Sequence, residues 1–293
     1  MTVDIMLPYY GDVALMQSAV RSVLSQNHED WRLTVVDDGY PDTSVPSWFA
    51  ALGDERVRYF RNEEKLGAQG NHRRCLGYVK HDLFVVMGAD DVMLPNYLDV
   101  VLGLYAAVPE AAIIQPGVQV IDDRGVEVRT LGDTVKKWYA PRGRGSRVLS
   151  GEPLATSLLR GNWLYNPSLC WRTSALDEVR FRENVDVFDL ALPLDVVAAG
   201  ESMVVDDTLC FKYRRHRSSS SWSRVSMGSR FPEERRFFLA IAEEMDSLGW
   251  HRAARAARIH LSSRLNAACQ LPLAARRRDR TAVRSLSRHV LSR

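Results

Sequence analysis

Two pairs of adjacent carboxylates are the residues in this sequence best suited to chemistry. Asp37 and Asp38 follow the apolar stretch LTVV, and Asp90 and Asp91 come shortly after the apolar residues 83–86. Adjacent negative charges repel each other, and holding them near a core costs desolvation. A lone pair of this kind is typical of a turn in which aspartates bind the backbone. Two pairs at comparable places favour a site for a hard divalent cation, which takes carboxylate oxygens as ligands and commonly bridges them to nucleotide phosphates.

Short apolar strands alternate with helical patterns through the first hundred residues, and this alternation would position both acid pairs. The strands are predicted at residues 3–8, 31–39, 57–62 and 82–88. Strands separated by helices indicate an α/β fold with a mostly parallel sheet that is covered on both faces. Ligands bind at the carboxyl ends of the strands in such sheets. Both acid pairs fall at those ends, so the sequence predicts that they line one site.

The second half of the chain carries two further patterns. Residues 133–147 are rich in Gly, Arg and Lys, which predicts an exposed loop. From about Phe231 the pattern becomes helical, and it ends in an arginine-rich segment. This segment is typical either of an amphipathic helix packed on the domain or of a surface that docks on anionic lipid or on an acidic partner protein.

The composition narrows the class of protein. The chain has 293 residues and a formal net charge of +3, so no overall electric field favours binding to nucleic acid. Its four cysteines stand far apart without a CxxC pair, which excludes the usual zinc spacings and predicts reduced thiols. The start of the chain has no secretory signal pattern, and no segment reaches about 20 apolar residues in a row. We therefore expect a cytoplasmic protein. Peripheral binding to the inner face of the membrane is compatible with this location.

Six motifs in order resemble those of the family 2 glycosyltransferases, which have the GT-A fold. They are PYYGD (8–12), VVDDG (35–39), RNEEKLGAQGN (61–71), MGADDVMLP (87–95), WRTSAL (171–176) and YRRHRSSSS (213–221). The resemblance implies a Rossmann-like, mostly parallel sheet flanked by helices, with a helical C-terminal extension. It also implies a nucleotide-sugar-binding half at residues 1–125, a half for the acceptor and the catalytic base at 126–228, and the extension at 229–293.

The resemblance implies a site for a nucleotide-sugar donor. Pro8 and Tyr10 match the motif after the first strand, where the nucleotide base would lie. Asp37 and Asp38 match the D-D-G turn, and Asp38 in particular would hydrogen-bond the base or the ribose. A carboxylate that accepts a hydrogen bond from an imide N–H favours uracil or thymine, and thus a UDP- or dTDP-sugar. The other residues expected to bind the donor are Arg61, Asn71, Asp90 and Arg214.

The acid pair of MGADD would hold the divalent cation, Mn²⁺ or Mg²⁺, that the resemblance implies. Asp91 is the expected metal ligand, and Asp90 would contact the ribose or the metal. His216 in YRRHR would ligate the metal or contact the diphosphate, although a surface histidine among arginines fits the pattern equally. Gly88 stands where the family usually has a leading aspartate, so this site has one acid fewer.

The reaction implied is an inverting transfer, in which an acceptor hydroxyl attacks the anomeric carbon of the sugar. A carboxylate near the start of a helix would act as general base, and in ENVDVFDLALPLD we assign this role to Asp189 and, as the alternative, to Asp186. A helix cap is the structural alternative for Asp189. Trp163, Tyr165 and Trp222 would form a platform for the sugar or the acceptor, or pack in the core.

Other functions remain open at this level. A binding module that kept the nucleotide fold without turnover fits Gly88 and the imperfect base motif. A sugar nucleotidyltransferase is disfavoured because PYYGDVAL lacks a Gly-rich loop and a basic signature. The acceptor of a transferase would be a polysaccharide, a lipid-linked sugar or a natural product, and the oligomeric state is not indicated.

Overall fold

The apolar runs of the first ninety residues form parallel strands, as expected for segments buried on both faces. The computed structural model describes residues 1–177, 179, 182, 188–215 and 231–291. The strands are β1 (Val3–Tyr9), β2 (Trp31–Asp37), β3 (Val57–Arg61) and β4 (Leu83–Val86), and the helices between them are α1 (Val13–Leu24), α2 (Ser44–Leu52) and α3 (Gly67–Leu76). Their order in the sheet is β3-β2-β1-β4, with all three pairings parallel.

The register of these strands aligns their carboxyl ends. Tyr9 pairs with Asp37, and Asp37 pairs with Arg61. On the other side of β1, Met6 pairs with Val86, and the N–H of Met87 donates to the carbonyl of Met6 at 2.8 Å. The loops that carry both acid pairs therefore leave the same edge of the sheet, as the sequence predicts.

The second half of the chain completes a mixed sheet of nine strands within the described residues. It contains β5 (Val92–Met93), α4 (Tyr97–Ala107), β6 (Ala111–Ile121), α5 (Leu131–Tyr139), β7 (Arg147–Ser150), α6 (Gly151–Arg160), β8 (Cys170–Arg172), α7 (Phe188–Ala198) and β9 (Ser202–Arg214). Strand β8 runs antiparallel between β4 and β6, and β9 runs parallel to β6. Strands β5 and β7 both pair antiparallel with β9, so the long β9 carries the chain back to the acid pair of β4.

Alternation along the strands divides the core into two layers. Ile5 and Leu7 of β1 pack with helices α1, α2 and α4 on one face of the sheet. Met6 of β1 and Phe84 of β4 face the other layer, which contains α6 and α7. Cys75, Cys170 and Cys210 are buried thiols, and Cys269 is an exposed one.

The C-terminal extension is helical, as predicted, and its first two helices belong to the core of the domain. It consists of α8 (Phe231–Ser247), α9 (His251–Ile259), α10 (Leu261–Arg276) and α11 (Arg280–Leu291). Phe238 and Ile241 of α8 and Ala253 of α9 join the same apolar layer as α6 and α7. Helices α10 and α11 form an outer hairpin, whose small apolar cluster includes Phe231 of α8.

The prediction of a loop at residues 133–147 was wrong for its first part. Residues 133–139 belong to helix α5, and only the segment between α5 and β7 lacks regular structure. Thr130 caps this helix, since its Oγ1 accepts a hydrogen bond from the N–H of Asp133. The capping bond and the burial of Asp133 outweigh the weak local composition.

Two further expectations concern larger units. No helix in the described part of the chain is long and apolar enough to cross a membrane. The predicted domain boundaries at residues 125 and 228 stay predictions. A single sheet contains strands from both sides of residue 125.

Candidate active site

The acid pair after β4 sits on a tight turn that buries one carboxylate. The N–H of Asp91 donates to the carbonyl of Gly88 at 3.2 Å, which closes the turn. Asp91 is 1% exposed, whereas Asp90 is half-buried. Burial and the adjacent Asp90 charge raise the pKa of Asp91 well above its usual range, and the hydrogen bond from the N–H of Arg214 to its Oδ1, at 2.7 Å, opposes this only in part. A cation bound at this turn would favour the ionised form of Asp91.

Gly88 makes the position of the buried carboxylate possible. A Cβ at residue 88 would lie 2.4 Å from Oδ2 of Asp91 and 3.0 Å from Oδ1 of Asp90. The Asp91 carboxylate therefore lies against the space that a side chain at residue 88 would take. The position of the Asp91 side chain thus depends on having glycine, and not the aspartate usual in the family, at residue 88.

We expect Gly88→Ala to disrupt this arrangement. The new methyl group would overlap Asp91 and should lower the free energy of unfolding by about 1–3 kcal/mol, the usual range for overpacking. Gly103→Ala is the matched control, because nothing lies within 4 Å of its Cβ position in helix α4. There the change should stabilise the protein by up to about 1 kcal/mol. Chemical denaturation of both variants measures the difference, and equal effects would show that the contact at residue 88 does not matter.

Arg214 holds the acidic turn in place through backbone contacts. Its Nε donates to the carbonyl of Asp90 at 2.7 Å, and its Nη1 donates to the carbonyls of Asp122 and Asp123 at 2.8 and 3.1 Å. The side chain is buried. These contacts support a positioning role for Arg214, and the prediction that it binds donor phosphate stays untested.

The two acids after β2 are also engaged with the protein. Asp37 accepts hydrogen bonds from the N–H of Tyr40 at 2.7 Å, the hydroxyl of Tyr59 at 2.6 Å and Nη1 of Arg61 at 2.9 Å. The Arg61 guanidinium, which is partly exposed, also donates to the carbonyl of Tyr40. Asp37 and Arg61 thus shape the loop after β2, and their expected contacts with the donor stay predictions.

Asp38 fixes the start of helix α3. Its carboxylate accepts hydrogen bonds from the N–H of Leu66 at 2.7 Å, the N–H of Gly67 at 2.8 Å and the amide of Asn62 at 2.9 Å. The same Asn62 amide donates to Asn71, whose own amide donates to the carbonyl of Val36 at 2.8 Å. Asp38 and Asn71 are buried within this network, so it places the loop before α3, and their direct action on a base or ribose stays a prediction.

An exposed aromatic surface lies next to these acids, as expected for the base-binding motif. Tyr10 is 48% exposed, and its ring meets that of Tyr40 edge to face at a centroid distance of 5.3 Å. The Nζ of Lys65 lies 3.5 Å from the centroid of the Tyr10 ring. Pro8 is half-buried one residue before the end of β1. Sequence reasoning missed Lys65, although it lies within RNEEKLGAQGN.

Asp189 lies in the first turn of helix α7, close to the segment between α6 and β8. Its Oδ2 is 3.5 Å from the amide of Asn162, and its carbonyl accepts a hydrogen bond from the amide of Asn166 at 2.7 Å. Its carboxylate is half-buried and accepts no capping bond from α7 among the described residues. The geometry leaves this carboxylate available for a proton.

Tyr213, near the end of β9, is influenced by the charges of three carboxylates. Burial and the charges of Asp91, Asp90 and Asp189 raise the pKa of the Tyr213 hydroxyl to about 12, against the opposing charge of Arg215. All three acids thus act electrostatically on one buried hydroxyl at the end of β9. Sequence motifs more than a hundred residues apart converge here, and Tyr213 was not singled out in the sequence.

Helix α5 supplies a second group of charges that the sequence did not reveal. Asp133 is buried and accepts hydrogen bonds from Arg215 at 2.6 Å and from the Tyr165 hydroxyl at 3.2 Å. Lys136 donates to the carbonyl of Leu164 at 2.6 Å and lies 4.4 Å from the centroid of the Tyr165 ring. Burial and Arg215 lower the pKa of Lys136 to about 8, whereas the charges of Asp189 and Asp133 oppose that shift.

A cleft lies between α3 and α7, and its lining includes Phe188, the residue before Asp189. It is lined by Gln69, His72, Arg73, Arg182, Phe188 and Leu192, among others. The His72 and Phe188 rings lie 5.0 Å apart, and burial lowers the pKa of His72 to about 4, so this imidazole is neutral near pH 7. The lining combines apolar side chains with the charged Arg73, Arg182 and Asp195, a mixture found in sites for polar ligands.

The remaining predicted residues are of two kinds. Trp163 is buried in the core, where its Nε1 donates to Ser157 Oγ at 3.0 Å, so packing is its role. Asp186, His216 and Trp222 lie outside the described residues.

Comparison with solved structures defines the fold as GT-A. Staphylococcus aureus TarS residues 1–349 in complex with UDP-GlcNAc superpose with a TM-score of 0.65 at 14% identity, over 84% of this chain and 66% of that one. Mannosyltransferase PcManGT from Pyrobaculum calidifontis, in complex with GDP-Man and Mn²⁺, superposes with a TM-score of 0.56 at 13% identity, over 97% of this chain and 78% of that one. The predicted fold is confirmed.

The chain belongs to glycosyl transferase family 2. The model of that family matches residues 4–173, which is more than half of the chain. This match includes both acid pairs and the aromatic surface, and it ends before Asp189.

Curated relatives match over shorter segments. The putative glycosyltransferase EpsE of Bacillus subtilis is 23% identical over 177 residues, which are 59% of this chain and 57% of that protein. The UDP-Glc:alpha-D-GlcNAc-diphosphoundecaprenol beta-1,3-glucosyltransferase WfgD of Escherichia coli is 29% identical over 104 residues, which are 35% of this chain and 40% of that protein. In both cases the matched segment spans less than two thirds of the relative.

Proposed function

We propose that this protein is an inverting glycosyltransferase that moves a sugar from a nucleoside diphosphate to an acceptor hydroxyl. The observation that carries the proposal is the buried acidic turn of Asp90 and Asp91, which the N–H of Arg214 binds at 2.7 Å, together with Asp189 in the first turn of α7. Asp90 and Asp91 lie within the segment that matches the family 2 model, and Asp189 lies after it, in the first turn of helix α7. Such an arrangement separates the task of holding the donor from the task of accepting a proton.

The residues present fit a divalent cation at the acidic turn. Asp91 carries a strongly raised pKa because burial and Asp90 disfavour its charge, and a cation would relieve both effects. No set of three or more His, Cys, Asp or Glu side chains converges as a metal site within the described residues. Asp90 and Asp91 would therefore share the ion with oxygens of the donor and with water, as is usual for Mg²⁺. When bound, such an ion neutralises charge that develops on the leaving diphosphate.

The chain's own side chains then act on the two substrates. Tyr10 and Tyr40 offer a ring surface for the base, and Arg214 keeps the acidic turn fixed through its backbone contacts. The oxygen of the acceptor hydroxyl attacks the anomeric carbon from the face opposite to the leaving diphosphate. Asp189 accepts the proton of that hydroxyl during the attack. The charges of Asp189 and Asp133 in turn raise the pKa of Lys136 against the opposing effect of burial.

We propose a UDP- or dTDP-sugar as the donor. The acids beside the aromatic surface suit a base with an imide N–H. TarS was solved in complex with UDP-GlcNAc, and WfgD is a glucosyltransferase that uses UDP-Glc. PcManGT was solved with GDP-Man and Mn²⁺, so GDP-sugars are the competing class. For the acceptor, a polysaccharide, a lipid-linked sugar and a natural product all fit an open cleft beside Asp189. We also propose that the protein acts in the cytoplasm.

A thermal-shift screen tests the donor. Unfolding temperatures should be measured with UDP-, dTDP- and GDP-sugars, each with Mn²⁺ and with EDTA. We expect UDP- or dTDP-sugars to raise the unfolding temperature in the presence of Mn²⁺ only. A shift with GDP-sugars alone would contradict the donor class, and equal shifts with EDTA would contradict the role of the cation.

One alternative function has an observation in its favour. Gly88 removes an acid that the family usually carries, which fits a module that binds nucleotide sugars without turning them over. Such a module would pass the thermal-shift screen and would release no nucleoside diphosphate.

A further inference from the structure

The outer hairpin of α10 and α11 has a packed face and an unpacked face. On the packed face, Ala267 and Ala274 of α10 cluster with Ala282 and Leu286 of α11 and with Phe231 of α8, and all five are buried. Ser263 of α10 lies on the same side, where its hydroxyl donates to Glu234 of α8 at 2.7 Å. The opposite face of α10 takes no part in this cluster.

The unpacked face of α10 carries a line of apolar side chains. Leu261, Leu265 and Leu273 are 47%, 51% and 38% exposed, and the exposed Cys269 completes the series at intervals of four residues. Residues four apart lie on one side of a helix, and this line extends for about 18 Å. It is offset by two residues from the buried series, which places it on the side away from α11. Exposed leucines in a row indicate a surface that contacts something apolar.

Arginines surround the end of this line. Those exposed on the hairpin are Arg276, Arg277, Arg278, Arg280, Arg284 and Arg288. None of the six forms an ion pair with another residue in the described part of the chain. The single acid among them, Asp279, caps α11 by accepting a hydrogen bond from the N–H of Ala282 at 2.9 Å.

Other arginines of the same extension behave differently. Arg252 pairs with Glu152, and Arg258 pairs with Asp246. Outside the extension, Arg182 binds both Asp195 of α7 and Glu244 of α8. Arg252 and Arg258 of α9 are thus paired with acids, whereas the six exposed arginines of the hairpin form no ion pair within the described residues. This contrast indicates that the hairpin arginines serve a partner that is not part of this fold.

We propose that the α10–α11 hairpin docks on an anionic lipid bilayer, with its leucines in the interface and its arginines on the head groups. Each basic residue near such a surface gains attraction to anionic lipid, and apolar side chains add burial in the acyl boundary. A second copy of this chain fits poorly, because a two-fold contact would bring like charges together. A nucleic acid would satisfy the arginines and leave the leucines exposed. The proposal is independent of the proposed function.

The test uses the full chain and lipid vesicles. Cys269 is the one exposed cysteine of the four, so a polarity-sensitive dye placed there reports on the middle of the leucine line. With vesicles of phosphatidylglycerol and phosphatidylcholine the dye emission should shift to the blue, and the protein should sediment with the vesicles. With phosphatidylcholine alone both signals should be much weaker, and added salt should reduce binding to the anionic vesicles.

Two matched pairs of variants separate specific docking from general attraction. The triple change Arg276→Glu, Arg280→Glu and Arg284→Glu should reduce vesicle affinity by more than about tenfold. Arginine-to-glutamate changes at the exposed Arg32, Arg58 and Arg160 alter the net charge equally but lie far from the hairpin in sequence. They should alter vesicle affinity by less than about twofold. Leu265→Ser with Leu273→Ser should remove the blue shift, whereas Leu248→Ser, an exposed leucine outside the hairpin, should keep it.

Three results would overturn the proposal. They are failure of the wild type to bind anionic vesicles, equal losses in the two arginine triples, and a blue shift that persists in the leucine variant. Sedimentation velocity without lipid adds a fourth: self-association of the wild type that the leucine changes abolish would assign this face to a second copy of the chain.

Discussion

Asp91→Asn should abolish metal-dependent donor binding and reduce transfer by at least roughly 100-fold, the scale of losing one charge-stabilising group in an active site. Asparagine keeps the shape of the side chain and an oxygen that accepts the hydrogen bond from the N–H of Arg214. It removes only the charge, which burial and Asp90 already disfavour. The variant should therefore unfold at the same temperature as the wild type or higher when no metal is present. Isothermal titration of the donor with Mn²⁺ and thermal unfolding measure the two effects.

The combination of effects makes this prediction specific. A carboxylate that only supported the fold would lower both stability and binding when it is changed. Asp82→Asn is the matched control, because Asp82 is exposed at the opposite end of the same strand and should leave donor binding unchanged. Near-normal transfer by Asp91→Asn would rule out Asp91 as the residue that holds the cation.

Asp189→Asn should leave donor affinity unchanged and reduce the transfer rate by about 10²–10⁴-fold, the range typical of a lost general base. The change removes the proton acceptor beside the cleft and keeps the main-chain contact of residue 189 with Asn166. Because Asp189 lies on helix α7 and not on the acidic turn, we expect the proposed donor site to be unaffected. Steady-state kinetics with a competent acceptor, together with titration of the donor, separate the rate from the affinity.

The assignment of the base has a direct rival. Asp186→Asn should leave the rate within about threefold of the wild type if Asp189 is the base, since removing a general base costs far more than that. Loss of transfer in Asp186→Asn with retention in Asp189→Asn would show that the rival is correct. Loss of donor binding in Asp189→Asn would show that this residue belongs to the donor site.

The nucleotide half was predictable because its signals are local. Runs such as residues 83–86 are buried on both faces of a parallel sheet, so the strands appear in the sequence as continuous apolar stretches. The acids follow directly after two such runs, and strand ends in parallel register bring them to one edge. Fold class and the location of the site follow from these two facts.

The details of that half were less predictable because they depend on backbone geometry. Asp38 binds the N–H groups of Leu66 and Gly67, which requires Gly67 to adopt a positive φ of 75°. The D-D-G motif gives no indication of this contact. From the sequence, Asp38 is therefore assigned only to ligand binding, whereas in the structure it also holds the start of helix α3. The folded-back Asp91 is similar, since it depends on the absence of a Cβ at residue 88.

The second half could not be predicted well because its contacts join residues far apart in the chain. Asp133 and Lys136 meet Tyr165 and Arg215 only after α5 has packed beside β9. One local signal was present and overlooked, because Thr130 and Asp133 have the spacing of a helix cap. The charge of Lys136 near Asp189 has no counterpart in any short motif.

Release of nucleoside diphosphate is the measurement that tests the central claim most directly. The full chain should be incubated with Mn²⁺ and with the donor that stabilises it best, and free nucleoside diphosphate should be quantified with and without candidate acceptors. We predict release by the wild type that stops with EDTA, rises with a competent acceptor and is lost in Asp91→Asn and Asp189→Asn. Tight donor binding by the wild type without release under any of these conditions would contradict the claim and would identify a binding module.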